Sequence, residues 1–224
     1  MVRELFFKER FVFLMVCILL YLVLAPFFSD FVKIRLLMDF FLSAIFLSGV
    51  YAVSENKRNT RIALLLALPM FISIWLSHVV KIPNIDLMIH VFGMPFLLFM
   101  IVAILTFIFK THQVTRDVIA ASIVVYLLIG ILWGFIYTAL NFIEPGSFSY
   151  NESGNANQSS IFAYFSLVTL TTLGYGDVAP LTSRARAFAV AEAVIGQMYI
   201  AILIARLVGI HIAQQMSGKN KKDK

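Results

Sequence analysis

The sequence predicts an all-α membrane protein with six transmembrane helices and one shorter, re-entrant helix. Three observations carry that reading. Of 224 residues, 61% are hydrophobic and 13% charged, with a mean hydropathy of +0.91; soluble domains run to roughly half apolar and a quarter charged. Apolar runs of eighteen residues and more follow one another with short polar gaps, the pattern of membrane spans. Between the fifth and sixth runs lies a further one that is too short to cross.

The six long runs are residues 11–28, 34–53, 62–80, 87–109, 118–142 and 185–210, each close to the ~20 residues that a helix needs to cross the hydrocarbon. The first exceeds the ~7–15 apolar residues of a cleaved leader and no small-x-small site follows it, so it is read as a retained helix. Pro69 and Pro95 fall inside the third and fourth runs, where each removes a backbone donor and kinks the helix. Pro83 and Asn84 mark the turn between them. The short run, 161–173, must re-enter, because irregular backbone at membrane depth survives only where protein buries it or water reaches it.

A cytoplasmic N-terminus places thirteen Lys and Arg residues inside and five outside. The positive-inside rule thus sets both termini in the cytoplasm and the loop 141–160 outside. The net charge of +6 is accordingly a topology signal, not a nucleic-acid footprint. Asn151 and Asn157 open sequons on that loop and are read as chance. Cys17 is the single cysteine, which excludes an intrachain disulfide and a cysteine metal site. No nucleophile, base and orienting group can be assembled by spacing, so no enzyme is expected. The stretch 213–224 reads as a basic, disordered cytoplasmic tail, too short for a ligand-binding module. Its basic residues would attract anionic lipid headgroups by roughly 1 kcal/mol each.

The stretch that carries chemistry is 169–177, Thr-Leu-Thr-Thr-Leu-Gly-Tyr-Gly-Asp. It closely resembles the selectivity filter of potassium channels, whose usual core is Thr-Val-Gly-Tyr-Gly, with Leu173 where Val is commonest. A dehydrated potassium ion needs rings of inward carbonyls from four copies of such a loop. Gly174 and Gly176 can adopt the left-handed dihedrals that this requires. The resemblance implies ion coordination by the carbonyls of Thr172, Leu173, Gly174 and Tyr175, with the Thr172 hydroxyl at the innermost site and Gly176 at the outer mouth. Potassium ions in the filter are the only bound group implied. The segment 160–171 becomes a pore helix, with Ser159 or Ser160 as its N-cap and its C-terminal dipole aimed at a cavity cation.

Two positions depart from the family pattern. Val168 stands where some members carry a glutamate behind the filter. Tyr164, thirteen residues before Asp177, stands where voltage-gated relatives place a tryptophan, and a Tyr164 to Asp177 hydrogen bond is expected in its place. In the last span, Gly196 lies at the resemblance's hinge position. One face then carries Gln197, Ile200, Ile204 and Val208 as cavity lining and apolar gate. For Gly196, close helix packing is the competing reading. Glu192 falls off that face, behind the filter, either as a structural hydrogen bond to the pore helix or as a pH-sensitive group.

Six spans with a pore loop before the last resemble the voltage-gated cation channel superfamily. Yet 87–109 contains no Arg or Lys, and each gating charge contributes only ~2.3 kcal/mol per 100 mV, so no steep voltage dependence is expected. Asp39, His78, Asp86 and His90 cluster towards the outer side, as a proton sensor or as a satisfied polar remnant. The link 110–117 is only ~12 Å long if helical, which favours a peripheral unit packed on its own pore. The expected organisation is a charge-poor four-helix unit at 1–112, a pore domain at 113–212 and the tail at 213–224. The implied protein is a homotetrameric potassium channel of the cell membrane, plasma or inner. A weakly selective cation channel, which the intact Tyr175 disfavours, and a non-conducting regulatory subunit are the alternatives.

Overall fold

The computed structural model describes residues 9–28, 32–54, 57–80, 85–111, 113–150 and 158–222. They form seven helices: α1 (Arg10–Phe28), α2 (Val32–Ala52), α3 (Lys57–Val79), α4 (Ile85–Lys110), α5 (Arg116–Ile143), α6 (Gln158–Leu170) and α7 (Ser183–Lys222). Two short strands, β1 (Phe148–Ser149) and β2 (Ala179–Pro180), pair antiparallel. The protein is therefore an all-α integral membrane protein, as its apolar runs require, since only a helix satisfies its own backbone in lipid.

Among the described residues four stretches are long and apolar enough to cross: Lys57–Ser77, Leu87–Lys110, Arg116–Ile143 and Ser183–Gln215. Helices α1 and α2 run 19 and 21 residues. Helix α6, at 13 residues, reaches only ~20 Å, too short for a ~30 Å layer. Helices α3 and α4 continue through Pro69 and Pro95. Ser73 Oγ donates to the Pro69 carbonyl at 2.8 Å, so this hydroxyl is satisfied within its own helix.

Several expectations take a different form. Helix α6 begins at Gln158, so Ser159 and Ser160 lie in its first turn and neither is its cap. Helix α7 runs unbroken to Lys222, so most of the stretch expected as a disordered tail has helical backbone, continuing the last span. Pro83, Asn84, Asn151 and Asn157 lie outside the described residues, as do the side chains of Asp39, His78, Asp86 and residues 216–224.

The helices pack in an order that the chain alone does not announce. Helix α5 is central: α4, α1, α6 and α7 all lie against it, with α3 on α4, α2 on α1 and α7 on α6. The first four helices thus reach α5 of their own chain, through α1 and α4. At the end facing the 110–117 link, Phe11 and Phe107 meet with ring centroids 5.0 Å apart. The Arg10 guanidinium covers both rings, at 4.8 and 5.1 Å, a cation–π arrangement that suits a buried arginine. Helix α5 starts at Thr115, whose side chain accepts from the Val118 amide at 3.3 Å, an ordinary N-cap. Asp117 in its first turn accepts from the Phe11 amide at 3.1 Å. One carboxylate therefore serves two helix starts, favouring the dipole of each.

Asp117→Ala is expected to lower stability by ~1–2 kcal/mol, because it removes a charged acceptor and leaves an orphan amide. Thermal unfolding of the detergent-solubilised protein measures this; an unchanged midpoint would show that the α1 start is held by ring packing alone.

Candidate ion-conducting site

The site begins where α6 ends. A helix leaves its last four carbonyls without helical partners where it stops, and here each finds one. The Leu167 carbonyl accepts from the Thr171 amide at 3.0 Å and the Thr171 hydroxyl at 2.7 Å. Val168 accepts from the amides of Leu173 at 2.9 Å and Gly174 at 3.3 Å, and Thr169 from the Thr172 amide at 2.9 Å. The Leu170 carbonyl accepts from the Tyr126 hydroxyl of α5 at 3.0 Å.

The Leu173 to Val168 and Thr172 to Thr169 bonds together are a Schellman motif. Its left-handed residue is customarily glycine, and here it is Thr172, at φ +60°. Gly174 and Gly176 follow at φ +55° and +78°, so every second residue of the run 172–176 is left-handed. A Cβ at Gly174 or Gly176 would meet nothing within 4 Å; the backbone angle, not space, demands glycine there. Thr172 holds the same conformation at a cost of ~1–2 kcal/mol.

Beyond the run, the Tyr164 hydroxyl donates to Asp177 Oδ2 at 2.8 Å. Asp177 Oδ1 in turn accepts from the Val178 amide at 3.1 Å. The β1–β2 pair and the Leu181 amide, which donates to the Ser147 carbonyl at 2.8 Å, pin the exit of the run to the start of the outer loop. Leu173 and Tyr175 are 55% and 68% exposed in the single chain.

Behind the run, Glu192 is fully buried. Its Oε2 accepts from the Tyr137 hydroxyl at 2.5 Å, and its Oε1 lies 2.5 Å from Ser166 Oγ, whose single proton is shared between that carboxyl and the Gly130 carbonyl at 2.6 Å. One carboxyl thereby joins α7, α6 and α5. Tyr137 packs within a ring cluster with Phe148 and Phe165, at 5.4 and 5.0 Å. Of the two readings of Glu192, the geometry supplies the contact to α6 directly.

Glycines let the three helices approach. A Cβ at Gly196 would meet the Leu170 carbonyl oxygen at 2.6 Å, and one at Gly134 would meet the Ala163 backbone at 3.0 Å. Gly196 is therefore buried against the end of α6, off the open face of α7. That face carries Gln197, Ile204 and Val208 as exposed residues, with Ile200 half-buried at its edge. Val168 is buried and contributes its carbonyl. His90 is buried edge-on to Phe135, with centroids 4.6 Å apart.

Tyr126 and Tyr199 were not singled out from sequence, and Thr172, named there for its carbonyl and hydroxyl, was not expected to be left-handed. The Tyr199 hydroxyl donates to the Ser122 carbonyl at 2.7 Å, and its ring stacks on Tyr126 at 5.9 Å. A tyrosine deep in an apolar run is the available signal, because its hydroxyl needs a partner there. The partner's identity is a tertiary fact.

Thr172→Gly is expected to raise the unfolding midpoint slightly. Relief of ~1–2 kcal/mol of steric strain exceeds the ~0.5–1 kcal/mol of added unfolded-chain entropy; a lower midpoint would mean that the hydroxyl contributes more than the strain costs. Glu192→Ala is expected to cost ~1–3 kcal/mol by leaving the buried Tyr137 hydroxyl without its partner, and Glu192→Gln less. Equal losses in the two variants would show that hydrogen bonding is not the carboxyl's contribution.

Residues 123–211 match a family model described as Ion channel. Two pore potassium channel c of Oryza sativa subsp. japonica is 35% identical over 83 residues, which are 37% of this chain and 16% of that protein. The matched stretch thus spans less than a fifth of that relative's length.

Proposed function

We propose, from the match of residues 123–211 to the Ion channel family model and the 35% identity over 83 residues to a two pore potassium channel, that four copies of this chain form a potassium-selective pore that conducts passively. The alternating left-handed backbone at Thr172, Gly174 and Gly176 carries this reading. Alternation turns consecutive carbonyls to one side, and stacked rings of such carbonyls replace the hydration shell of a potassium ion. The coordinating groups are the carbonyls of Thr172, Leu173, Gly174 and Tyr175 together with the Thr172 hydroxyl. That hydroxyl gives a reason for a threonine where glycine would be less strained.

Each chain supplies one such run and a closed pore needs four, so the assembly is a homotetramer. Leu173 and Tyr175 offer the surface on which neighbouring copies wedge the run open. The C-terminal end of α6 contributes partial negative charge to the cavity below, which favours a cation. The Tyr164 to Asp177 bond braces the outer mouth, and the carboxyl of Glu192 braces the rear. Rings of Ile204 and Val208 form a gate that closes by dewetting. Helix α4 carries no Arg or Lys before Lys110 at its last turn, so conduction lacks steep voltage dependence.

Flux from proteoliposomes of the purified chain, under matched potassium and sodium gradients with barium as blocker, tests the proposal. Potassium-selective, barium-sensitive flux that Gly174→Ala abolishes is the expected result. Equal flux of both cations would replace it with a weakly selective channel, and no flux from folded tetramers with a non-conducting subunit. In the same preparation Tyr164→Phe is expected to speed filter inactivation; unchanged inactivation would remove the brace. A conductance rising sharply with depolarisation would overturn the voltage independence.

A further inference from the structure

Arg206 is half-buried and is the single charged side chain between Glu192 and His211 on α7. A half-buried charge needs partners in the protein, and it has them at the end of α4. One guanidinium nitrogen, Nη2, donates to the carbonyls of Ile108 at 2.9 Å, Phe109 at 2.7 Å and Thr111 at 3.3 Å. The guanidinium carbon lies 4.6 Å over the Phe109 ring. These carbonyls belong to the last turn of α4 and the residue just beyond it, where the helix has run out of amide donors and carries partial negative charge. Arg206 therefore caps α4 from another helix, with hydrogen bonds, dipole and ring all contributing.

The position on α7 gives the contact its meaning. Glu192, Tyr199 and Arg206 recur every seven residues, so they share one face. Each is tied to a different helix or pair: Glu192 to α5 and α6, Tyr199 to α5, Arg206 to α4. Ile204 and Val208, two residues to either side of Arg206, each lie ~160° around the helix from it. A tie on one face thus acts directly against movement of the opposite face towards a pore axis.

We propose that Arg206 is a positioning residue for the gate: it anchors the lower half of α7 to the end of α4 and holds the Ile204 and Val208 rings apart. The proposal rests on the channel reading above. Without the anchor, the apolar rings gain by burying their surface against one another, and the pore closes. The first four helices, lacking sensor charges, then act as a fixed brace for the gate.

The test compares wild type, Arg206→Ala and Arg206→Lys as reconstituted tetramers, reading potassium flux per tetramer and the potassium-to-sodium flux ratio. Flux is expected to fall roughly fivefold or more in the alanine variant, the scale of a modest coupling between sites, with the ion ratio unchanged. Lysine, which keeps the charge without the planar fork, is expected to fall between the two. Unchanged or increased flux in the alanine variant overturns the proposal, as does a fall accompanied by loss of selectivity, which would mean a general disturbance of the filter. If the alanine variant does not assemble, Arg206→Gln carries the same expectation, and wild-type flux in it overturns the proposal.

Amide hydrogen exchange over residues 108–111 keeps failure of the channel reading distinguishable. Loss of the cap is expected to speed exchange there several-fold through fraying of the last turn. Wild-type protein without flux brings down the channel reading and the gate role with it, while faster exchange in the variant still establishes the tie between α7 and α4. Unchanged exchange removes the tie itself.

Discussion

The last turn of α6 is the constraint on which the rest of the pore half depends. A 13-residue helix stops short of a full span and leaves four carbonyls without helical partners, each costing up to several kcal/mol wherever water does not reach it. The chain answers by folding back on itself. Thr171, Thr172, Leu173 and Gly174 return their amides to Leu167, Val168 and Thr169, and α5 sends the Tyr126 hydroxyl to Leu170. That return forces Thr172 into the left-handed region and sets the alternation which Gly174 and Gly176 continue. The helix stop and the unusual backbone beyond it are thus one device.

The same end of α6 dictates what may stand beside it. Because Leu170 turns its carbonyl towards α7, only a residue without a Cβ fits there, and Gly196 occupies the place. Two turns away, Gly134 of α5 also meets the α6 backbone, where a Cβ would lie 3.0 Å from Ala163. Close approach brings polar groups within reach of each other, so Glu192, Ser166 and Tyr137 form a buried polar joint instead of three separate penalties. Such a joint is worth most when every member is satisfied. The ring cluster of Tyr137, Phe148 and Phe165 fills the space behind it, and the short β1–β2 pair closes the outer side.

The long helix α7 carries these ties on one face and apolar residues on the other. Its rotation about its own axis is consequently fixed by hydrogen bonds to Ser166, Ser122 and the end of α4, since apolar packing in lipid alone has little rotational preference. The open face with Gln197, Ile204 and Val208 follows from that rotation. The proposed conduction path is in this sense a by-product of where the polar groups of α7 find partners.

Composition and run length alone determined that the chain is an α-helical membrane protein, because lipid leaves an apolar run no other way to satisfy its backbone. The Gly174 and Gly176 spacing was legible too, as was the thirteen-residue interval that brings Tyr164 to Asp177, since both are local on the chain. The start of α6 at Gln158, the helical backbone of α7 through to Lys222 and the left-handed Thr172 were not legible. End positions depend on neighbours, and a threonine is a poor advertisement for positive φ. Only the tertiary structure decided that Glu192 meets Tyr137 across 55 positions of chain, that Asp117 holds the Phe11 amide across 106, and that Arg206 caps α4 across about a hundred. Each is a polar group that the sequence shows must be paired, and its partner is chosen by three-dimensional proximity, which no local pattern encodes.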